Sequence, residues 1–439
     1  MTRLFPCCLA LLALAASAET LEDAWRAAES GNPALQAEQA GVTAAQARQR
    51  AAAALDWPVL SLSAGYLHLS DAPTSSVDLS PLGHALAGTP LAPIAARLPG
   101  NLSLPLAERD ISAGSLALSY PLYSGGRISA TQRAAAAGLD LAQANQQRAR
   151  QQLRLDIAEA YLNVLRADAA AQVAERYRSG LAAHRNDVAA MEKQGLAAPV
   201  ERMTADVALA DAARRQIDAR QTQELACAAY NRLLNRSLDA EVQLQALPAN
   251  LLGPLAADGE QALKQRPELA ALTAGETALH QQAEAARGAD RPQLALSAMH
   301  LRWRGLSTEQ DRTNAIGVVM NWSLFDGGLA RQQAAALQQD ASALAARRDD
   351  ARSLVLLDVK RASLAERAAI ERQGVSQSAE QLAAEALRLS QARYREGLAN
   401  QTEVLAAETR RADAERARHD ADFDLQLARL KLRRAMGAL

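Results

Sequence analysis

Tyr120-Pro121-Leu122-Tyr123-Ser124-Gly125-Gly126 returns, 202 positions later, as Trp322-Ser323-Leu324-Phe325-Asp326-Gly327-Gly328. Each copy closes a stretch in which apolar and small polar residues alternate, and each opens a long run free of proline. No proline lies between Pro121 and Pro199, and none follows Pro292. Alternation with period two marks a strand, and a proline-free run permits an unbroken helix. The glycine pair is the joint between them. A strand turning sharply into a helix needs backbone angles that a Cβ disfavours, and Ser124 or Asp326 can then accept hydrogen bonds from the first free amides. The rival reading of paired glycines, a phosphate-cradling loop, lacks support because no GxGxxG or Walker spacing follows.

The repetition extends in both directions. Gly195-Leu196-Ala197 matches Gly397-Leu398-Ala399 at the same offset. Upstream, Asn32-Pro33-Ala34-Leu35 matches Arg266-Pro267-Glu268-Leu269, and Trp57-Pro58-Val59-Leu60 matches Arg291-Pro292-Gln293-Leu294, at an offset of 234. The change of offset puts 32 extra residues between Tyr66 and Tyr120, where six prolines crowd together, and predicts a long loop over 68–112. The expected first repeat spans 19–258: helix 20–56, strands 58–67 and 113–122, long helix 127–194, return helix 199–235 and an irregular connection 236–258. The second spans 259–439: helix 259–290, strands 292–302 and 315–324, long helix 329–396 and return helix 402–436. Each long helix would run about 100 Å. Leu153, Ile157, Tyr161 and Val164 give the first an apolar stripe, and abundant alanine lets neighbouring helices approach closely.

The four strand segments have two distinct faces. One carries Leu60, Leu62, Ala64 and Tyr66; Leu116, Leu118, Tyr120 and Leu122; Leu294, Leu296, Ala298 and His300; Val318, Met320, Trp322 and Leu324. The other is smaller and more polar, with Ser61, Ser63, Ser115, Ala117, Ser119, Ser297 and Gly317. About ten residues is the length at which a tilted strand crosses a bilayer, apolar side toward lipid. Only 3% of the chain is aromatic, yet Trp57, Tyr66, Tyr120, Tyr123, Trp303, Trp322 and Phe325 all lie in or beside these segments. Tyr66, Tyr120, Trp303 and Trp322 are therefore the expected membrane-interface aromatics. A small soluble sheet with one face on a core satisfies the same alternation. If the segments do enter lipid, four strands cannot close around a lumen and an open edge leaves backbone groups unpaired, so further copies must complete the ring.

Residues 1–18 combine Arg3, an apolar run and Ala16-Ser17-Ala18, the order of a cleavable export signal, with Cys7 and Cys8 misplaced for lipidation. Elsewhere no stretch is apolar for the roughly 18 to 20 residues of a helical span. The 48 basic and 49 acidic residues are interspersed, which argues against nucleic acid as a partner. Beyond the leader Cys227 stands alone, suiting a packing role, and the six histidines lack ligand spacing, so neither a metal nor another cofactor is expected. No nucleophile elbow or Cys/His cluster indicates an enzyme.

In the order and spacing of these elements the chain resembles the TolC-type outer-membrane efflux proteins over its whole mature length. The match is carried by the turns at 120–126 and 322–328 and by the tips Gly195-Leu196 and Gly397-Leu398. The resemblance implies a mainly α fold with a small β part, internally duplicated, whose antiparallel hairpins form an α-barrel tunnel. It implies a homotrimer with a 12-stranded transmembrane β-barrel in the outer membrane. It also implies an exit channel for a tripartite pump or type I secretion system, working with a periplasmic adaptor and an inner-membrane transporter. Carried over by position, Tyr394, Glu403 and Glu201 fall at the periplasmic gate, and Gly195, Leu196, Gly397 and Leu398 at the adaptor contacts. Ala406 and Ala399 depart from the pattern where some members place an acid and a linking arginine, for which Arg202 or Arg395 are the available substitutes. Glu201 and Glu403 also suit a plainer role, since carboxylates are favoured at helix N-termini. The competing reading is a periplasmic coiled-coil adaptor or scaffold with a soluble sheet.

Overall fold

The computed structural model describes residues 18–97, 99–248, 253 and 255–439, so the leader expected over 1–18 lies outside them apart from Ala18. Along the chain run α1 (Leu21–Gly31), α2 (Pro33–Ala53), β1 (Val59–His68), β2 (Thr74–Asp78), α3 (Ser80–Leu86), α4 (Ala92–Ala95), β3 (Asn101–Pro105) and β4 (Ala107–Tyr123). There follow α5 (Arg127–Lys193), α6 (Pro199–Leu233), α7 (Gly259–Gln265), α8 (Pro267–Arg287), β5 (Gln293–Leu306), β6 (Arg312–Asn321), α9 (Leu329–Arg395) and α10 (Gln401–Ala435). The fold is mainly α with a small β part. The two long helices α5 and α9 are 67 residues each, and the return helices α6 and α10 are 35 each.

The opening helix of each repeat corrects the expectation of single helices over 20–56 and 259–290. Each is two helices followed by a 3-10 turn, Ala54–Asp56 in one repeat and Gly288–Asp290 in the other. The breaks fall before Pro33 and Pro267, because proline pushes the preceding residue out of the helical region. Asn32 and Arg266 are accordingly extended, with ψ of 121° and 118°. Each proline then opens the next helix, where its missing N–H costs nothing. Asn32 also accepts from the Ala34 amide at 2.9 Å, and the buried Arg266 donates to the carbonyl of Arg434 at 3.2 Å.

The chain divides into two compact units. The first comprises residues 1–44, 139–275 and 344–439 and holds the larger core. There Tyr161, Ile157, Leu162, Tyr230, Leu21 and Leu430 pack together at 2% exposure or less, with the half-buried Cys227 against them. The Tyr161 hydroxyl donates to the Glu19 and Gln245 carbonyls at 2.8 and 2.5 Å, while Arg236 and Tyr230 hold the Glu19 carboxylate. These bonds fasten the irregular segment after α6, which has no ladder of its own to satisfy its backbone.

The second unit, 45–138 and 276–343, contains an antiparallel sheet in the order β1-β4-β5-β6. Its strands differ in extent from the expected segments. β4 is 17 residues long and β5 is 14, while β6 begins at Arg312 and ends at Asn321 instead of covering 315–324. The extension is a bulged continuation: the register shifts between Ala107 and Ser112, and Gly305, at φ 88°, lies where a Cβ would stand 2.2 Å from the Asp110 carbonyl oxygen. Only glycine permits that approach. The segment 68–112 is likewise more ordered than a plain loop, since β2 and β3 pair as a hairpin and enclose α3 and α4.

Candidate functional site

The register of the sheet decides which side chains share a surface. Leu60, Leu118, Ala298 and Ile316 lie in one row across all four strands, and Tyr120, Leu296 and Val318 in another. The apolar residues singled out by alternation thus fall on one face where the register is continuous; past the shift between Pro121 and Tyr123 it is Tyr123, not Leu122, that pairs with Leu294, and Leu324 lies beyond the end of β6. That face is bare, with Leu62 and Ile316 each 78% exposed, and nothing in the described residues covers it. Tyr66, Tyr120 and Trp322 belong to the same face by parity, the Tyr66 hydroxyl donating to Asp110 at 2.5 Å and the Trp322 indole to the Asp290 carbonyl at 3.0 Å. Trp303 does not. It pairs with Ala113 on the opposite face and donates to Thr308 at 2.9 Å, which corrects its assignment to the aromatic girdle. Strict alternation in β5 makes Arg302 and Arg304, not Trp303, the outer-facing residues there.

At the joints between strand and long helix, Gly125, Gly126, Gly327 and Gly328 all have positive φ, between 64° and 86°. Ser124 Oγ accepts from the Ile128 amide at 3.2 Å, and the Asp326 carboxylate accepts from the Gly328 and Ala330 amides at 2.7 and 2.8 Å. Those amides hold the Asp326 carboxyl below its usual range.

The far ends of α5 and α9 close alike. Gly195 and Gly397 sit at φ 72°, with the Leu196 amide bonded to the Met191 carbonyl and the Leu398 amide to that of Arg393, the 6→1 bond of a Schellman motif. Just inside these tips α5, α6, α9 and α10 meet. Tyr394, 8% exposed, donates from its hydroxyl to Glu201 Oε2 at 3.2 Å. Burial, then the Glu201 carboxylate, pushes that hydroxyl up to about 12, so it remains a donor at neutral pH. Glu403 pairs with Arg393 at 3.5 Å, and its amide is capped by Asn400 at 3.0 Å. Arg202 bonds Glu192 at 2.7 Å and Asp206 at 3.4 Å within the chain, and Arg395 lines a cleft of about 730 Å³ beside Tyr394. Tyr394 and Glu201 are therefore brought together, whereas Glu403 stands apart with its own arginine.

Two residues of this region were passed over in the sequence. His184 packs against the Tyr394 ring at 5.4 Å, and its buried Nε2 has no hydrogen-bond partner. It belongs to the stripe Tyr177, Leu181, His184, Val188, and that spacing was the available signal. Glu408, 3% exposed, accepts from Gln391 at 3.0 Å; burial pushes its carboxyl up while Arg411 and Gln391 oppose the shift. Burial likewise lowers His184 below its usual range, with Asp187 opposing. At acid pH the unfolded chain then binds a proton that the folded chain does not, so this contribution is intact above about 6.5 and is lost as pH falls. His184→Phe is expected to raise the melting temperature, and to raise it more at pH 5 than at pH 8. A shift equal at both pH values would contradict the assignment.

The fold defines a class: a duplicated, mainly α protein in which long helical hairpins alternate with the strands of one four-stranded sheet. The sequence matches the family model described as outer membrane efflux protein over residues 25–236 and 259–438, and the chain belongs to that family. Among solved structures, a membrane protein from Pseudomonas aeruginosa superposes with TM-score 0.79 at 20% identity, covering 95% of this chain and 93% of that one. The outer membrane protein VceC of Vibrio cholerae gives 0.75 at 22% identity, covering 95% and 96%, and the outer-membrane channel OprN 0.76 at 20%, covering 95% and 90%. No curated protein matches the sequence. None of the described helices is long and apolar enough to cross a membrane, and no described group of three His, Cys, Asp or Glu side chains is arranged for a metal.

Proposed function

We propose that the chain is the outer-membrane exit channel of a tripartite efflux pump or type I secretion system, a passive conduit and not an enzyme. The observation that carries this reading is the bare apolar face shared by four strands that are too few to close a ring. Such a face is costly in water and an open sheet edge is costly in lipid; three copies joined edge to edge, apolar side outward, remove both costs. The homotrimer then has a 12-stranded barrel continued into the periplasm by its helical hairpins. Gly195, Leu196, Gly397 and Leu398 are the points at which a periplasmic adaptor engages, and the adaptor couples the channel to an inner-membrane transporter. Family membership and the channels among its structural relatives support the reading. The test is purification from outer membranes. A trimer that resists mild detergent and conducts ions in a planar bilayer is expected; a freely water-soluble monomer would reject the proposal.

In this reading the Tyr394–Glu201 hydrogen bond restrains the periplasmic end of the tunnel, and Glu403 contributes carboxylates near its axis. Gathered carboxylates favour cations over anions. Glu403→Gln is expected to lower cation selectivity, read as a smaller reversal potential under a salt gradient. An unchanged reversal potential would assign Glu403 to its pairing with Arg393 alone.

A further inference from the structure

At the end of β5 and β6 remote from the glycine joints, the apolar face becomes basic. Arg302 and Arg304 continue the row of Leu294, Leu296, Ala298 and His300 on β5, and Arg312 stands directly opposite Arg302 on β6. Like charges directly opposite in an antiparallel pair are destabilising. The chain provides little to offset them. Arg302 has one carboxylate, Asp311, at 3.7 Å, and both side chains are largely exposed, 68% and 64%. Among the described residues the side chains of Arg304 and Arg312 have no hydrogen-bond or ion-pair partner.

The neighbouring strand leaves the arginines open. β4 presents Gly114 opposite Arg302 and Ser112 opposite Arg304. Its acids near this level are Glu108 and Asp110, and Asp110 is engaged by the Tyr66 hydroxyl at 2.5 Å and by His68 Nδ1 at 2.7 Å. Immediately inward, His300 and Asn314 satisfy each other at 2.7 Å, and beyond them on this face β5 and β6 pair Ala298 with Ile316, Leu296 with Val318 and Leu294 with Met320. Two guanidinium groups face each other, then, with a third roughly 7 Å along the strand, above a strip of bare hydrocarbon. Guanidinium forks bind phosphate oxygens bidentately, and a multiply charged phosphate group offsets the mutual repulsion of the arginines. The occupant that supplies both phosphate and hydrocarbon in this order is a lipid.

We propose that Arg302, Arg304 and Arg312 form a binding site for the phosphate groups of an outer-leaflet phosphoglycolipid, whose acyl chains run along the strip formed by Ala298, Ile316, Leu296 and Val318. The site rests on the reading of this face as membrane-facing. Free inorganic phosphate shares the headgroup chemistry but has no use for the strip.

The test uses the full-length protein in detergent at 0.15 M salt, titrated with bisphosphorylated lipid A, with the same lipid stripped of its phosphates, and with inorganic phosphate. Wild type is expected to bind the phosphorylated lipid on the order of 100-fold more tightly than R302Q/R304Q/R312Q, at about fivefold for each arginine near an anionic headgroup. The stripped lipid is expected to bind both proteins alike, and R302K/R304K/R312K, which keeps the charge but not the fork, to recover only part of the affinity, which excludes misfolding as the cause. Equal binding of the phosphorylated lipid by wild type and the glutamine variant would overturn the site. So would inorganic phosphate competing as strongly as the lipid at equal concentration. Flotation of wild type with zwitterionic phosphatidylcholine vesicles, which carry no net charge, is the separate control: its failure would reject the membrane reading itself, and this site with it.

Discussion

Leu118→Arg is expected to remove the protein from the outer membrane, whereas Ala117→Arg, one residue away, is tolerated. Leu118 lies in the row Leu60, Leu118, Ala298, Ile316 on the bare face, and Ala117 lies between Ser61 and Met299 on the other. An arginine on the lipid face near the bilayer midplane costs about 2–4 kcal/mol, and each trimer would carry it three times. The same side chain pointing into a wet lumen keeps its hydration. The measurement is the fraction of protein recovered in outer membranes as an oligomer that resists mild detergent. Similar losses for both variants, or the greater loss for Ala117→Arg, would show that the sheet does not face lipid as proposed.

Gly125→Ala is expected to destabilise the protein by about 3 kcal/mol or more, and Gly327→Ala at the matching position of the other repeat by about 1 kcal/mol. Both glycines are left-handed, at φ 64° and 71°, so each substitution carries the same backbone strain. They differ in surroundings. A Cβ on Gly125 would stand 2.6 Å from the Arg291 Cβ and 2.8 Å from the Gly288 carbonyl oxygen, whereas nothing in the same chain lies within 4 Å of one on Gly327. Arg291 also donates to the Gly125 carbonyl at 3.0 Å, so a shift large enough to relieve the clash would break that bond. Melting temperatures of the detergent-purified variants check the difference. Equal losses would mean that backbone angle alone governs both joints.

Much of this was legible because proline and glycine act through local covalent geometry that a sequence states outright. Pro121 and Pro199 bracket a first long helix that ends at Lys193, and the paired glycines mark where strand becomes helix. The breaks at Asn32 and Arg266 were legible too, since each precedes a proline that the reading had already used to align the repeats. What stayed hidden depends on partners far along the chain. The extension of β4 to Ala107 requires Leu306 to pair with it, and no pattern in β4 announces that partner. Trp303 lies in β5 but on the opposite face, and counting by twos from Leu294 excludes it from the row of Leu294, Leu296 and Ala298. At the helical tips the bond between Tyr394 and Glu201 joins residues 193 positions apart, and no local pattern announces it. The burial of His184 and Glu408 beside them arises from four helices converging, and their charge-bearing side chains concealed it.

The equal lengths of α5 and α9, and of α6 and α10, have a consequence for how this gene can change. The insertion that distinguishes the first repeat falls wholly within the segment that carries β2 and β3, and helix length is left untouched. Losing one turn from a single long helix would draw back one tip by about 5.4 Å while the other stayed in place, and would pull Tyr394 out of register with Glu201. A viable shortening must therefore strike both halves and both arms of each hairpin together, so drift in length is confined to the loops.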